Sequence, residues 1–141
     1  MNAVELVRAL GARVGITDLS LGAEGACSVI FDQDEVIFEE NTGRLFVFAE
    51  IGSAAGRTDV YTVLLDANHL GHGSGFGSIG LDKERETFTL SRVVETPCEY
   101  EQFEEQLKLF VSVLRYWKKY LQEGPQEQSD NQTLPPNATV V

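Results

Sequence analysis

Basic residues are scarce in this sequence. Its 141 residues include 11 Lys and Arg against 22 Asp and Glu, which gives a formal net charge of -11. Residues 1–123 hold all 11 basic side chains and 20 of the acidic ones. A surface with this charge repels phosphate backbones and anionic lipid headgroups. The composition therefore predicts a protein that binds neither nucleic acid nor membranes, and it leaves neutral or basic partners open.

Cysteine is also rare, and long apolar runs are absent. Cys27 and Cys98 are the only cysteines, and they lie far apart without a CxxC spacing. We expect both to be reduced, buried, small hydrophobic residues rather than a disulfide. The N-terminus has no basic-then-apolar signal segment, and no apolar run approaches the roughly 20 residues of a membrane-spanning helix. These absences predict a cytoplasmic protein.

The pattern of the remaining residues predicts one α+β domain over residues 1–123 and a polar tail over residues 124–141. The tail is rich in Gln, Asn, Pro and Thr, and we expect a segment of this composition to be disordered. The domain follows the order α-β-β-β-α-β-β-α, with a twisted antiparallel sheet flanked by three helices. The predicted helices are Asn2–Val14, Thr58–Leu70 and Glu99–Leu121, and the predicted strands are Gly25–Phe31, Glu35–Glu40, Arg44–Glu50, Ile79–Asp82 and Glu86–Arg92.

Each helix is predicted from an apolar stripe at helical spacing. Asn2 is a suitable N-cap for the first helix, and Gly15 is a suitable stop. The central helix ends before five glycines between Gly71 and Gly80, which are too dense for a helix to continue. Its stripe consists of Val60, Val63, Leu64, Ala67 and Leu70.

One predicted strand is unusual because it is apolar on both faces. In Arg44–Glu50, Phe46 and Phe48 point away from the face that carries the other apolar residues. Ile30 and Ile37 repeat this feature in the neighbouring strands. A small antiparallel sheet with helices on one side normally has a polar second face. Either this strand is fully covered within one subunit, or its second face is an apolar surface for a partner.

Three patterns resemble catalytic or ligand-binding sites. The glycine run contains a literal GxGxxG at Gly75–Gly80, but a dinucleotide-binding turn needs a strand before it and a helix after it. The order here is reversed, so we expect these glycines to provide positive φ angles and close backbone packing. His69 and His72 lie near Asp66 and Asp82, which leaves a weak metal site as an alternative to a helix C-terminus. No GxSxG elbow and no paired acid and base are present. We therefore predict no catalytic residue, no cofactor and no bound metal.

Several stretches carry a resemblance to a known family. They are Leu64–Leu70 (LLDANHL) followed by Gly71–Gly80 and Leu81–Asp82, then Phe88–Leu90, and also Gly25–Asp32 and the closing helix Phe103–Leu121. In these stretches, and in size, charge and element order, residues 2–122 resemble the Tir-chaperone family. These proteins are the small acidic class I chaperones of type III secretion systems.

This resemblance implies a homodimer joined through the central helix and the strand that follows it. Each dimer would bind the N-terminal region of one or more secreted effectors, keep it extended and secretion-competent, and leave its release to the export ATPase. The implied dimer contacts are Val60, Val63, Leu64 and Ala67, and the implied effector-binding residues are Leu6, Leu10, Ile30, Ile37, Phe46 and Phe48. The alternative is a regulatory adaptor of the same shape that binds a folded protein. A third reading is a small-ligand or metal protein that uses the glycine run and the two histidines.

Overall fold

A computed structural model describes residues 1–123 as three α-helices and five strands. The elements are α1 (Ala3–Val14), β1 (Ala26–Phe31), β2 (Asp34–Asn41), β3 (Arg44–Ser53), α2 (Tyr61–Asn68), β4 (Ser78–Asp82), β5 (Thr87–Val94) and α3 (Tyr100–Glu123). The strands form one open antiparallel sheet in the order β1-β2-β3-β5-β4. The predicted α+β fold and element order are therefore confirmed. The predicted disordered tail lies outside the described residues, so the domain boundary after residue 123 stays a prediction.

The described residues group into two compact units. Unit 1 contains Met1–Phe48 and Arg92–Lys108, whereas unit 2 contains Ala49–Ser91 and, of the described chain, residues 109–123. Strands β3 and β5 and helix α3 contribute residues to both units. Each unit has its own buried apolar side chains, such as Phe38 in unit 1 and Leu90 in unit 2.

Unit 1 begins with α1, whose two ends are defined by capping residues. Asn2 Oδ1 accepts a hydrogen bond from the Glu5 backbone N–H at 2.9 Å, and the Glu5 carboxylate accepts one from the Asn2 N–H at 2.9 Å. This reciprocal arrangement is a capping box. Gly15, at φ 81°, ends the helix in the left-handed conformation. The predicted helix, cap and stop are confirmed.

Strands β1, β2 and β3 form the predicted antiparallel meander. The β2–β3 hairpin turns at Thr42 and Gly43, which have φ angles of 53° and 84°. Positive φ at both central residues is typical of the turn whose twist matches the flanking strands. Strand β3 runs to Ser53, three residues beyond its predicted end.

The inner face of this meander packs against the first turns of α3. Phe38 and Phe103 are both fully buried and meet edge to face, with ring centroids 6.4 Å apart. Tyr100 contacts Phe103 in the same way at 5.9 Å, and the Arg13 guanidinium lies 5.4 Å from the centroid of the Tyr100 ring. Burial raises the pKa of Tyr100, and its hydroxyl has no hydrogen-bond partner within residues 1–123.

In unit 2, β4 and β5 form an antiparallel hairpin, and the two faces of β5 differ in burial. Phe88 and Leu90 are buried, whereas Thr87, Thr89 and Ser91 lie half-buried on the other face. The central helix is shorter than predicted. Residues 58–60 and 69–71 form single turns of 3₁₀ helix, and only Tyr61–Asn68 is α-helical.

The assignment of Leu70 to the buried stripe of this helix is wrong. Leu70 has a φ of 57° and is 82% exposed. A residue in the left-handed region turns the chain out of helical spacing. The side chain therefore leaves the stripe that Leu64 and Ala67 continue to follow.

The second half of α3 fixes the glycine run of unit 2. Trp117 is buried, and its Nε1 donates a hydrogen bond to the Gly73 carbonyl at 2.8 Å. The apolar stripe that predicts α3 consists of Phe103, Leu107, Phe110, Val111, Leu114, Trp117 and Leu121. All of these are buried except Val111, which is half-buried, and Val113, outside that stripe, is fully buried as well. The helix is therefore amphipathic as expected, with a wider apolar face.

The two cysteines are free, as expected, but neither is fully buried. Both Cys27 and Cys98 are half-buried, and burial raises the pKa of the Cys27 thiol. Among residues 1–123, none of the helices combines the length and the apolar character that crossing a membrane requires.

Candidate functional site

The candidate site is an apolar patch on the outer face of the sheet in unit 1. We call the side chains of Ile30, Ile37, Phe46 and Phe48 the outer patch. The strand register places Ile37 directly opposite Phe48, so these two side chains are cross-strand neighbours. Ile30 is 65% exposed, and the other three are half-buried. Because all four keep exposed area, the rest of residues 1–123 does not close this face.

Leu6 and Leu10 lie elsewhere, in the core of unit 1. Their side chains are 0% and 2% exposed, on the buried face of α1. In this conformation they have almost no surface that an effector could contact. Of the six residues implied to bind an effector, the structure brings only the four of the outer patch together at the surface.

Carboxylates surround the outer patch. Glu39 lies opposite Phe46, and Glu35 lies opposite Ile30. The nearby Arg44 is engaged in an ion pair, because its Nη2 lies 2.6 Å from Glu95 Oε2. The hydrogen bond from Arg44 lowers the pKa of the Glu95 carboxyl. The patch is therefore apolar with an acidic border, which suits an apolar segment that also carries basic residues.

Strand β1 forms one edge of the sheet. The Glu40 N–H donates to the Gly25 carbonyl at 2.8 Å. In an antiparallel pair every second residue is hydrogen-bonded to the neighbouring strand, so Cys27, Val29 and Phe31 direct their backbone groups toward β2. The backbone groups of Ser28 and Ile30 consequently point to the free edge. The Gly22 N–H already occupies the Ala26 carbonyl on that edge at 3.0 Å. An extended segment could add to β1 at Ser28 and Ile30, beside the outer patch.

A second apolar surface lies in unit 2, where α2 packs on β4. Tyr61, Leu65 and Leu81 are exposed there. The Tyr61 ring meets Phe88 edge to face, with centroids 6.1 Å apart. A groove of about 200 Å³ runs between the helix and the strand. It is lined by Tyr61, Leu64, Leu65, Asn68, Ile79, Gly80, Leu81 and Phe88.

Asn68 joins α2 to β4 through its side-chain amide. Its Oδ1 accepts from the Ile79 N–H at 2.7 Å, and its Nδ2 donates to the Ile79 carbonyl at 2.8 Å. The two bonds satisfy both backbone groups of Ile79, which face the β4 edge of the sheet. One side chain therefore takes the place of a neighbouring strand at this residue and fixes the end of α2 on β4.

Of the four implied dimer residues, Leu64 lines this groove and the other three do not. Val60, Leu64 and Ala67 are buried within the chain, and Val63 is half-buried. The exposed face of α2 instead carries Tyr61 and Leu65, which are one helical turn apart. The sequence contained a signal for them, because α2 has apolar residues on both sides rather than on one stripe.

The glycine run has the geometry of a tight turn. Gly75 has a φ of 63°, and a Cβ there would lie 2.8 Å from Val113 Cγ2. A Cβ on Gly77 would overlap the Ser91 carbonyl oxygen. Positive φ at Gly75 and close packing at both glycines are thus confirmed. Within residues 1–123, no group of three or more His, Cys, Asp or Glu side chains is placed to hold a metal ion.

Comparison with protein-family models identifies the family of this chain. The model of the Tir chaperone protein (CesT) family matches residues 5–118. The chain belongs to this family. Membership assigns it to a group of chaperones for type III secretion rather than to an enzyme class, and it confirms the resemblance noted in the sequence. No curated protein matches the chain.

Solved structures give the same fold for this CesT-family chain. A chain in the crystal structure of the ExsC–ExsE complex has a TM-score of 0.71 at 23% identity, over 83% of this chain and 91% of that one. A chain in the structure of the HopA1–SchA chaperone–effector complex has a TM-score of 0.69 at 15% identity, over 82% of this chain and 91% of that one. A chain in the crystal structure of the Yersinia pestis type III secretion chaperone SycH in complex with a stable fragment of YscM2 has a TM-score of 0.64 at 19% identity, over 82% of this chain and 98% of that one.

Proposed function

We propose that this protein is a bacterial type III secretion chaperone that binds the N-terminal region of one or more effectors as a homodimer. The bound segment is held extended and secretion-competent in the cytoplasm, and its release falls to the export ATPase. One observation carries the proposal: four large apolar side chains remain accessible on the outer face of the sheet. Family membership supports it, and so do the similar folds found in a chaperone–effector complex and in a type III secretion chaperone.

The outer patch supplies selectivity for apolar side chains. Phe46, Phe48 and Ile37 cluster through the β2–β3 register, and Ile30 lies one strand further out. A client that buries on the order of 500 Å² of apolar area here gains roughly 12 kcal/mol before its ordering is counted. Ordering a disordered segment consumes a large part of this gain. Net binding is then moderate, which suits a chaperone that must release its client.

The edge of β1 supplies a second mode of contact. A segment added beside Ser28 and Ile30 would form backbone hydrogen bonds that do not depend on its sequence. Its alternate side chains would then fall on the outer patch. This combination favours an extended polypeptide, because such a segment can add as a strand and place its alternate side chains on the outer patch.

The exposed face of α2 and the end of β4 form the proposed dimer interface. Tyr61, Leu65 and Leu81 contact the partner, and the groove beside them receives its side chains. The implied residue Leu64 lines this groove, whereas Val60, Val63 and Ala67 do not. The predicted assembly has twice the mass of the 15.6 kDa chain.

The test is binding of the effector by two variants that act on different surfaces. The effector is first identified by co-expression with products of neighbouring genes, and its N-terminal segment is purified with the chain. Phe46→Asp should abolish binding while the dimer mass by light scattering stays unchanged. Leu65→Asp, the control on the other surface, should reduce the dimer mass. Unchanged binding by Phe46→Asp, or a client that limited proteolysis shows to be folded throughout, would contradict the proposal.

A further inference from the structure

The loop between α2 and β4 presents two large apolar side chains to solvent. Leu70 is 82% exposed and Phe76 is 65% exposed. Both residues have positive φ angles, 57° and 64°. Bulky residues rarely adopt this conformation, and such outliers are concentrated at binding sites. Neither side chain is buried on folding, so burial of these two side chains does not offset the cost of this backbone conformation.

The loop is held firmly from within. The Gly73 N–H donates to the Ala67 carbonyl at 2.7 Å, and the Phe76 N–H donates to the Gly71 carbonyl at 3.1 Å. The buried Ser74 hydroxyl donates to the Gly77 carbonyl at 2.8 Å. Together with the Trp117 bond to Gly73, these contacts anchor the middle of the loop. Leu70 and Phe76 are therefore presented on a preorganised backbone, which lowers the entropy that binding costs.

The surroundings of the loop identify its partner. Residues 67–81 contain no Asp, Glu, Lys or Arg, and this is the longest such run in residues 1–123. Two copies of a chain with a net charge of -11 repel each other except where charge is absent. The cores of protein interfaces are likewise depleted of charged residues. A basic client would instead be attracted to the acidic border of the outer patch.

The loop also continues the surface of α2 and β4. Asn68 bonds to Ile79 at one end of this helix–strand pair, and the Tyr61 ring meets Phe88, the register partner of Leu81, at the other. The helix and strand therefore run in opposite directions. Leu70 follows the end of α2 and Phe76 precedes the start of β4, so both flank the same end. Leu70 and Phe76 are therefore at the end of the helix–strand pair that is opposite Tyr61 and Leu81.

We propose that Leu70 and Phe76 are anchor residues that bind a second copy of this chain. The inference rests on the homodimer of the proposed function and adds the α2–β4 loop to its interface. In a symmetric dimer each side chain contributes twice. Replacing either one should therefore weaken the dimer by about tenfold or more, as for a buried apolar anchor.

The test measures the dimer dissociation constant of the full chain by sedimentation. Leu70→Asn and Phe76→Asn remove the apolar side chain with a residue that tolerates positive φ. Ile30→Thr is the matched control, because Ile30 has the same 65% exposure as Phe76 but lies on the outer patch. We expect weaker dimers for the two loop variants and an unchanged dimer for the control. Circular dichroism checks that each variant is folded.

A second measurement tests the same proposal if the asparagine variants fail to fold. A photo-crosslinking phenylalanine analogue at position 76 should join two differently tagged copies of the chain. A stable dimer that neither loop variant weakens, with no crosslink between copies, would overturn the inference and leave the proposed function intact. A crosslink to the effector alone would assign the loop to the client instead. A wild-type chain that stays monomeric at micromolar concentration would overturn the homodimer as well.

Discussion

Replacing Asn68 with alanine should show how much of this fold depends on one side chain. Asn68→Ala removes the two hydrogen bonds to Ile79, at 2.7 and 2.8 Å. Helix α2 has only eight residues and no side-chain N-cap, and helices of this length are unstable alone in water. The helix therefore depends on its packing and on this connection to β4.

The size of the effect follows from the geometry. Each hydrogen bond contributes about 0.5–1.5 kcal/mol net, so the two together contribute about 2 kcal/mol. Asn68 is half-buried, so in the variant water can reach the two Ile79 backbone groups that lose their partner. This limits the loss of free energy of unfolding. With a urea dependence of about 2 kcal/mol per molar, the unfolding midpoint should fall by about 1 M.

Urea unfolding followed by circular dichroism measures this loss. Wild type and variant are compared at the same protein concentration, because a dimer adds stability by mass action. Asn68→Asp keeps the acceptor for the Ile79 N–H but places a carboxylate against the Ile79 carbonyl, so it should not restore stability. Thr62→Ala, on the exposed side of α2, is the control and should change the free energy of unfolding by less than about 0.5 kcal/mol. An Asn68→Ala variant as stable as this control would refute the reasoning.

Three further substitutions test other features of the described chain. Tyr100→Phe removes a buried hydroxyl without a partner and should raise the free energy of unfolding by about 1 kcal/mol, measured in urea; a loss would show that the hydroxyl is bonded, for instance to water. Gly77→Ala places a Cβ against the Ser91 carbonyl and should cost about 1–3 kcal/mol, whereas Gly80→Ala in β4 should cost clearly less; equal costs would contradict the packing argument. The pKa of Glu95 is lowered by Arg44 from a usual value of 4.5, so its stabilising effect is complete above that pH and is lost as the pH falls through the lowered pKa. Glu95→Gln should flatten the fall of the melting temperature below about pH 5, and an unchanged profile would count against the ion pair.

Local signals in the sequence were sufficient for most of the fold. Asn2 and Gly15 mark the ends of α1 because capping depends on a few adjacent residues. Alternation in β5 separates Phe88 and Leu90 from the threonines for the same reason. The left-handed backbone of Leu70 had no such signal, since it is imposed by the contacts of the glycine run with Trp117 and Ala67.

The candidate sites were harder to predict. The spacing of apolar residues along a helix or strand does not show whether the chain's own core or a partner covers them. Leu10 in α1 and Leu64 in α2 each belong to an apolar stripe that is buried within the chain. For Phe46, the apolar residues on both faces of β3 left two alternatives open, burial within one subunit or a surface for a partner. Leu65 was missed, since it lies opposite the stripe of α2 on which the sequence argument concentrated.

The most direct test of the central claim is hydrogen exchange on the chain with and without the purified N-terminal segment of its effector. We expect slower exchange of backbone amides in β1, at Ser28 and Ile30, and in the adjoining residues of the outer patch. We also expect the bound segment to be protected only where it crosses this surface. Unchanged exchange throughout β1 in a saturated complex would contradict the account.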